Sequence, residues 1–162
     1  MSAEFVSDLP SEVAPETSCP PIRSGIFTHS VSGENDEPSL LGGYCCACDS
    51  YHFPRSRYCR RCLGAVEEAR IGGSGRIYSF TAVRTKPPFG LPQPYGVGFV
   101  DLTHSGLRVL GLIDPGSIDD CVIGDPVVLA VKPLGHDGTG QACLRPYFTL
   151  MKNDTKPAGS RA

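Results

Sequence analysis

The chain has 162 residues, enough for one ordinary domain or for a small metal-binding module beside a compact one. Its 40% hydrophobic content permits a core, while 19 glycines and 15 prolines favour turns and short strands over a helical bundle. The net charge of −2 argues against a nonspecific binder of polyanions.

The beginning of the chain, residues 1–39, is predicted to be an acidic extended arm. Up to Leu41 it carries seven acidic residues and a single basic one, Arg23, and it shows no sustained periodicity. A short strand over residues 26–31 is compatible with its apolar side chains. From Gly42 onward the chain has fourteen basic and ten acidic residues, so a mildly basic folded part is expected to follow the arm.

Residues 40–70 contain two Cys-x2-Cys pairs separated by ten residues. Each pair suits a tight turn that aims thiolates at a metal, and two such turns supply a tetrahedral zinc site. The predicted ligands are Cys45, Cys48, Cys59 and Cys62. Because four protein ligands leave no open position for a substrate, we expect a zinc ribbon in which the metal is structural.

Eight cysteines in a secreted protein would suggest disulfides. Here the chain starts without a basic, apolar, cleavable segment, and no apolar run approaches membrane-spanning length. We therefore expect a cytoplasmic protein with no membrane partner, in which paired cysteines bind metal. Cys46 has poorer spacing to Cys48 than Cys45 has, so it is interpreted as a spare thiol.

The ribbon also carries a basic cluster of four arginines. These side chains could offset the negative charge of a four-thiolate zinc site, pair with an acidic partner surface or bind nucleic acid. The cluster consists of Arg55, Arg57, Arg60 and Arg61. Within the ribbon, residues 51–54 read as a return strand, and Tyr44, Phe53 and Tyr58 are expected to cover the metal-binding turns.

Residues 71–152 show five short β-rich runs separated by glycine and proline, which is typical of a small barrel such as the OB-fold. The runs are residues 76–84, 95–102, 107–113, 126–131 and 147–151. Residues 114–126 fit the short helical or irregular crossover of such a barrel. Residues 153–162 are predicted to be a polar tail.

Several ordered motifs over about residues 40–150 together resemble one family. They are Phe-Pro-Arg at 53–55, Gly-x-Gly-x-Ile-Tyr-Ser-Phe-Thr at 73–81, Pro-Tyr-Gly-Val-Gly-Phe-Val at 94–100, Ile-Gly-Asp-Pro-Val at 123–127 and Arg-Pro-Tyr-Phe at 145–148. The chain is similar to the zinc-ribbon plus OB-fold accessory proteins of acyl-CoA enzymes. The resemblance implies a mainly β fold with a rubredoxin-like zinc ribbon and a C-terminal five-stranded OB barrel.

The resemblance also implies a partner. Family members assemble with thiolase-fold enzymes or with hot-dog-fold hydratases, and relatives support aldolases; the partner carries the catalytic residues and the coenzyme A thioester. Size and the acidic arm favour the branch that serves the benzoylsuccinyl-CoA thiolase of anaerobic toluene breakdown. Members usually begin with an amphipathic helix that clamps the partner. Residues 24–41 have no helical period, so the contact made by that helix is not expected here and a specialised partner is favoured. The partner that the resemblance implies is a thiolase-fold catalytic subunit in a hetero-oligomer.

The proline-rich loop at 85–94 is the candidate for contact with acyl-CoA or the partner. Prolines stiffen it, and Phe89 and Leu91 have no obvious core position there. Arg84 and Lys86 are expected near the nucleotide phosphates at the mouth of the partner's acyl-CoA channel. The alternative is that Phe89 and Leu91 cap the barrel end.

No catalytic residues are expected in this chain, because its histidines lie in separate segments without a recognisable nucleophile beside them. Cys121 and Cys143 are interpreted as buried thiols. The alternative function is a single-stranded nucleic-acid-binding module, which a barrel of this type permits. Nucleic acid is the weaker candidate, because bases would stack on the second and third barrel strands and the candidate side chains there include a single aromatic one. They are Val97, Phe99, Val109, Leu110 and Leu112.

Overall fold

The computed structural model describes residues 19–28 and 37–151. In this part of the chain the regular structure is almost entirely β, with a short 3₁₀ turn at Pro88–Gly90. The first sheet is the ribbon. It contains β1 (Leu40–Cys45), β2 (Ser50–His52) and β3 (Glu67–Gly72), arranged antiparallel in the order β2-β1-β3.

Five further strands close into a barrel, which confirms the predicted mainly β fold with a five-stranded OB-type barrel. They are β4 (Ser74–Val83), β5 (Tyr95–Leu102), β6 (Arg108–Ile113), β7 (Pro126–His136) and β8 (Ala142–Leu150). The order around the barrel is β4-β5-β6-β8-β7. Four seams are antiparallel, and the β6–β8 seam is parallel.

Some strands differ from the sequence prediction. They do so where proline or charged residues interrupt the alternation of apolar and polar side chains. β3 was not predicted, because its sequence Glu-Glu-Ala-Arg-Ile-Gly buries only Ile71 fully. β7 and β8 extend beyond the predicted runs as a long hairpin. Pro133 and Pro146, which usually weaken a strand assignment, lie within these extensions. The predicted crossover at 114–126 is irregular and consists of turns.

A single hydrophobic core connects the two sheets. Leu40 and Ile71 of the ribbon belong to the same buried cluster as barrel residues such as Val100 and Phe148. Burial of each such side chain contributes about 1.5–3 kcal/mol. The ribbon and barrel are therefore coupled through packing, and loss of one sheet removes contacts from the other.

Residues 19–28 tie the two sheets together. Leu144 of β8 donates its N–H to Pro20 O at 2.8 Å, and Ile22 donates to Leu144 O at 2.9 Å. Phe27 then forms an isolated bridge with Leu40 of β1. Residues 1–18 and 29–36 of the predicted arm, which include residues 29–31 of its short strand, and the tail at 153–162 lie outside the described residues.

No helix within residues 19–28 and 37–151 is long and apolar enough to cross a membrane.

Candidate functional site

The ribbon brings four cysteine sulfurs into one cluster. The sulfurs of Cys45, Cys48, Cys59 and Cys62 all lie within 4.8 Å of one another. Cys45 Sγ is 3.5 Å from Cys62 Sγ, and Cys59 Sγ is 3.9 Å from Cys48 Sγ. A tetrahedron with Zn–S distances of about 2.3 Å has sulfurs about 3.8 Å apart. The spacing therefore fits a metal ion such as zinc bound by four thiolates.

Each Cys-x2-Cys turn ends in the same backbone conformation. Asp49 follows the first pair with φ 46°, and Leu63 follows the second with φ 61°. The left-handed residue lets the chain reverse so that backbone N–H groups reach sulfur. Gly64 N donates to Cys62 Sγ at 3.4 Å, and Arg61 N donates to Cys59 Sγ at the same distance. These bonds hold the sulfurs before any metal arrives.

The cluster contains thiols of very different acidity. Backbone N–H groups of Arg61 and Cys62 stabilise the thiolate of Cys59 and lower its pKa to about 6. The side-chain hydrogen bond with Cys62 and burial raise the pKa of Cys48 to about 12, and burial raises that of Cys45. Because metal ligation requires thiolates, binding of a divalent ion must release protons from this cluster.

The four remaining cysteines differ in exposure. Cys46 is exposed and outside the four-sulfur cluster, Cys19 is half-buried, and Cys121 and Cys143 are buried. Burial also raises the pKa of the Cys121 thiol.

We therefore expect Cys46 to be the fastest thiol to react with a chromogenic disulfide reagent in metal-loaded native protein. Cys121 and Cys143 should react only on unfolding, since thiolate formation and access are both needed. Mass spectrometry of the early adduct measures this. Early modification of Cys59 would contradict metal ligation there.

The loop between β4 and β5 separates its predicted site residues. Leu91 is buried with 9% of its surface exposed, whereas Phe89 is 49% exposed. Lys86 is also exposed. Arg84 forms a loose ion pair with Asp119 at 3.4 Å. Leu91 is thus buried, whereas Phe89 and Lys86 remain available at the surface.

The β7–β8 hairpin holds this loop in place, which the sequence did not reveal. The Phe89 ring lies edge-on to His136 at 6.4 Å, and Arg145 is 5.7 Å from its centroid. A Cβ on Gly90 would lie 2.8 Å from the His136 ring, and one on Gly135 would overlap Phe89 O. In many OB barrels the loops that precede the second and the fifth strand bind ligands, and here these are the loops before β5 and before β8. That general property of the fold is the signal from which their proximity could have been predicted.

Arg145 is itself fixed by the hairpin. Its Nε donates to Leu134 O at 2.9 Å, and its Nη2 donates to His136 O at 2.7 Å. The guanidinium is therefore oriented before any ligand binds. Phe89, with φ 54°, is held in a conformation that L-residues rarely adopt. We define Lys86, Phe89, His136 and Arg145 as the barrel-end platform.

The outer face of β4, β5 and β6 carries exposed apolar side chains. Tyr78, Phe99 and Leu110 are 50%, 42% and 59% exposed. Arg108 stacks over Tyr78 and is paired with Asp101 at 2.6 Å, which holds the pKa of that carboxyl below its usual value. Asp101 neutralises the arginine on this face. The face is therefore apolar more than cationic and suits a protein better than phosphates.

The described histidines are distributed over three places. His104 lies 3.3 Å from the Tyr51 hydroxyl at the junction of the barrel and the ribbon, and His136 belongs to the barrel-end platform. His52 is buried in β2 with Ser50 Oγ 3.4 Å away. The Ser50–His52 contact is long and lies inside the ribbon, so the described geometry gives no accessible nucleophile and base.

The comparisons with known proteins agree with this architecture. Residues 68–132 match the family described as the C-terminal OB-fold domain of ChsH2. The DUF35 domain-containing scaffold protein of Methanothermobacter thermautotrophicus is 34% identical over 106 residues, covering 62% of this chain and 77% of the relative. The DUF35 domain-containing scaffold protein of Methanocaldococcus jannaschii is 28% identical over 120 residues, covering 72% of this chain and 84% of the relative.

A solved structure is also similar. A chain in the structure of the Ltp2-ChsH2(DUF35) aldolase matches with a TM-score of 0.57 and 27% identity, over 69% of this chain and 84% of that one. Identity above 30% over most of a curated relative, together with the same barrel, establishes the relationship. The chain therefore belongs to the family of DUF35 domain-containing scaffold proteins.

Proposed function

We propose that this chain is a non-catalytic accessory subunit of a thiolase-type acyl-CoA enzyme. It docks on the catalytic subunit and helps to shape the acyl-CoA site, while zinc on Cys45, Cys48, Cys59 and Cys62 stabilises the ribbon. The barrel-end platform carries this proposal. A half-exposed phenylalanine held beside the cationic side chain of Arg145 is a surface suited to contact with another molecule.

The chemistry of the platform matches a coenzyme A thioester at a protein interface. Lys86 and Arg145 supply positive charge for phosphates, and Phe89 supplies an apolar wall. The interlocked glycines keep that wall in one position, so that binding costs little conformational entropy. Arg84 lies at the start of the loop and can exchange Asp119 for an anionic ligand.

The finer proposal is a role in benzoylsuccinyl-CoA thiolysis. In that reaction the partner's cysteine attacks the keto carbon, the carbon–carbon bond breaks, and free coenzyme A takes up the acyl fragment. The small subunit would contribute shape and assembly.

The solved aldolase favours a second candidate, an aldolase partner. A retro-aldol cleavage gives a carbonyl compound and one thioester and consumes no coenzyme A, whereas thiolysis consumes one coenzyme A for each bond broken. A coenzyme A consumption assay on the co-purified complex separates the two. Recovery of the tagged chain from its native cells without any acyl-CoA enzyme would refute the accessory role.

We expect Phe89→Ala to weaken binding of the catalytic subunit or of its acyl-CoA by about 10-fold, the loss typical of a central aromatic contact. Isothermal titration calorimetry measures the affinity. Because Phe89 is half exposed, the unfolding midpoint should change little.

Ile123→Ala is the matched control, since Ile123 is an exposed aliphatic residue in the crossover. It should leave both affinities unchanged. Equal affinities for the wild type, Phe89→Ala and Lys86→Ala proteins would remove the platform from the proposed site.

A further inference from the structure

The second metal-binding turn of the ribbon carries an unexplained apolar residue. Leu63 is 77% exposed and has φ 61°. The turn requires the left-handed conformation at this position, where glycine or asparagine avoids the clash of Cβ with the backbone. Asp49, at the matching position of the first turn, receives a hydrogen bond from Tyr44 at 2.6 Å. Leu63 gains no comparable contact, and its side chain remains in water.

The surroundings of Leu63 give the surface a definite chemical character. Leu63 N donates to Cys59 O, and Cys59 N donates to Gly64 O, both at 2.8 Å, so the turn is tight and presents its side chains rigidly. Tyr58, at the base of the turn, is 59% exposed. Arg60 and Arg61, at its tip, are exposed as well.

The arginines of this turn are available to a partner. Arg55 is paired with Glu68 at 2.7 Å. Within the described part of the chain, by contrast, Arg57, Arg60 and Arg61 form no ion pair. Of these three, Arg61 contacts a sulfur, and it does so through its backbone N–H and not through its guanidinium group. The predicted cluster of four arginines therefore divides into one paired and three unpaired members.

We propose that Leu63 is the anchor of a protein-docking surface, the knuckle surface, formed by Arg57, Tyr58, Arg60, Arg61 and Leu63. Its partner is a protein with an apolar pocket for Leu63 and carboxylates around the rim for the arginines. Central apolar anchors surrounded by arginine and tyrosine are the usual composition of strong interface positions. In the complex, burial would compensate for the disfavoured placement of a large apolar side chain at this turn.

A protein partner fits these residues better than a nucleic acid. A leucine adds nothing to phosphate binding, and the Leu63 side chain is largely exposed. Glu67 follows on the adjacent strand and would repel a polyanion. The proposal rests on the proposed function only in taking the acyl-CoA enzyme's catalytic subunit as the partner.

The test uses tagged full-length protein expressed in its native cells, with quantitative mass spectrometry of co-purified proteins. Leu63→Gly removes the anchor while favouring the turn's backbone conformation, so the fold and zinc content should be kept. We expect recovery of the catalytic subunit to fall about 10-fold or more. Leu63→Met keeps an apolar anchor, so recovery of the catalytic subunit should stay close to that of the wild type. Ile123→Ser, which changes an exposed aliphatic residue elsewhere, should have no effect.

The charged rim is tested separately. Arg60→Glu should weaken the same complex, and the wild-type complex should dissociate more readily as salt is raised, since exposed ion pairs are screened. An apolar pocket around position 63 also predicts photo-cross-linking from benzoylphenylalanine placed there, because benzophenone inserts into nearby C–H bonds.

The outcomes separate the two proposals. Equal recovery with Leu63→Gly and wild type would overturn the knuckle surface and leave the accessory role intact. Loss of a partner that is not an acyl-CoA enzyme would support the surface and refute the accessory role. If wild-type protein recovers no partner and position 63 gives no cross-link, both are wrong. Salt-sensitive binding of a single-stranded oligonucleotide that depends on Arg60 and not on Leu63 would also overturn the surface.

Discussion

Cys59→Ser is expected to abolish metal binding and to unfold the ribbon. Cys59 is fully buried in the four-sulfur cluster, and a hydroxyl is a poor substitute for a thiolate ligand. Structural zinc supplies about 10 kcal/mol or more to modules of this size, which is comparable to the whole stability of a domain. Elemental analysis for zinc and thermal unfolding by circular dichroism measure the loss.

The effect should reach the barrel, because Leu40 and Ile71 share its core. We therefore expect one unfolding transition at a lower temperature, without a separate intact barrel. Cys46→Ser is the matched control, since Cys46 directly follows the ligand candidate Cys45 in sequence but lies outside the four-sulfur cluster. It should keep full zinc content and an unchanged midpoint. Loss of zinc from Cys46→Ser, or its retention in Cys59→Ser, would show that the ligand set is wrong.

Gly135→Ala is expected to displace the Phe89 loop and destabilise the protein. Gly135 has φ 66°, and a methyl group there would overlap the Phe89 carbonyl oxygen. Overpacking costs about 1–3 kcal/mol, and the left-handed conformation adds about 1 kcal/mol for alanine. The midpoint should fall by about 5–10 °C for a chain of this size. Amide chemical shifts over residues 86–94 would report the loop movement.

Gly138→Ala serves as the control for this change. Gly138 lies at the end of the same hairpin, and a Cβ there meets nothing within 4 Å. Its variant should match wild type in stability and in affinity for the partner. If Gly135→Ala also matches wild type in both, the platform is not held by the hairpin.

The parts of the fold that were predictable depend on local sequence. The run 95–102 alternates apolar and small residues between turn signals, and β5 has those limits. The Cys-x2-Cys spacing predicts the sulfur cluster because each turn is set by adjacent residues. β3 could not be predicted in this way. Its polar strand gains its partner, β1, from a segment more than twenty residues earlier.

Positions that depend on distant contacts were also missed. Leu91 is buried although its loop lies between prolines and shows no apolar periodicity that would predict burial. The pairing of Phe89 with His136 joins residues nearly fifty positions apart. By contrast, the left-handed conformation of Leu63 had a local signal, since it directly follows the second cysteine of a pair.

The short segment at residues 20–22 also covers an edge of β8. The first half of β8 pairs with β7 on one side, and on the other side Leu144 bonds to Pro20 and Ile22. An uncovered strand edge is a template on which further copies of a chain can add strands. The segment occupies that edge, and its prolines at 20 and 21 cannot donate hydrogen bonds to continue the ladder. Residues 20–22 therefore also hinder the pairing of a second copy of the chain with this edge of β8.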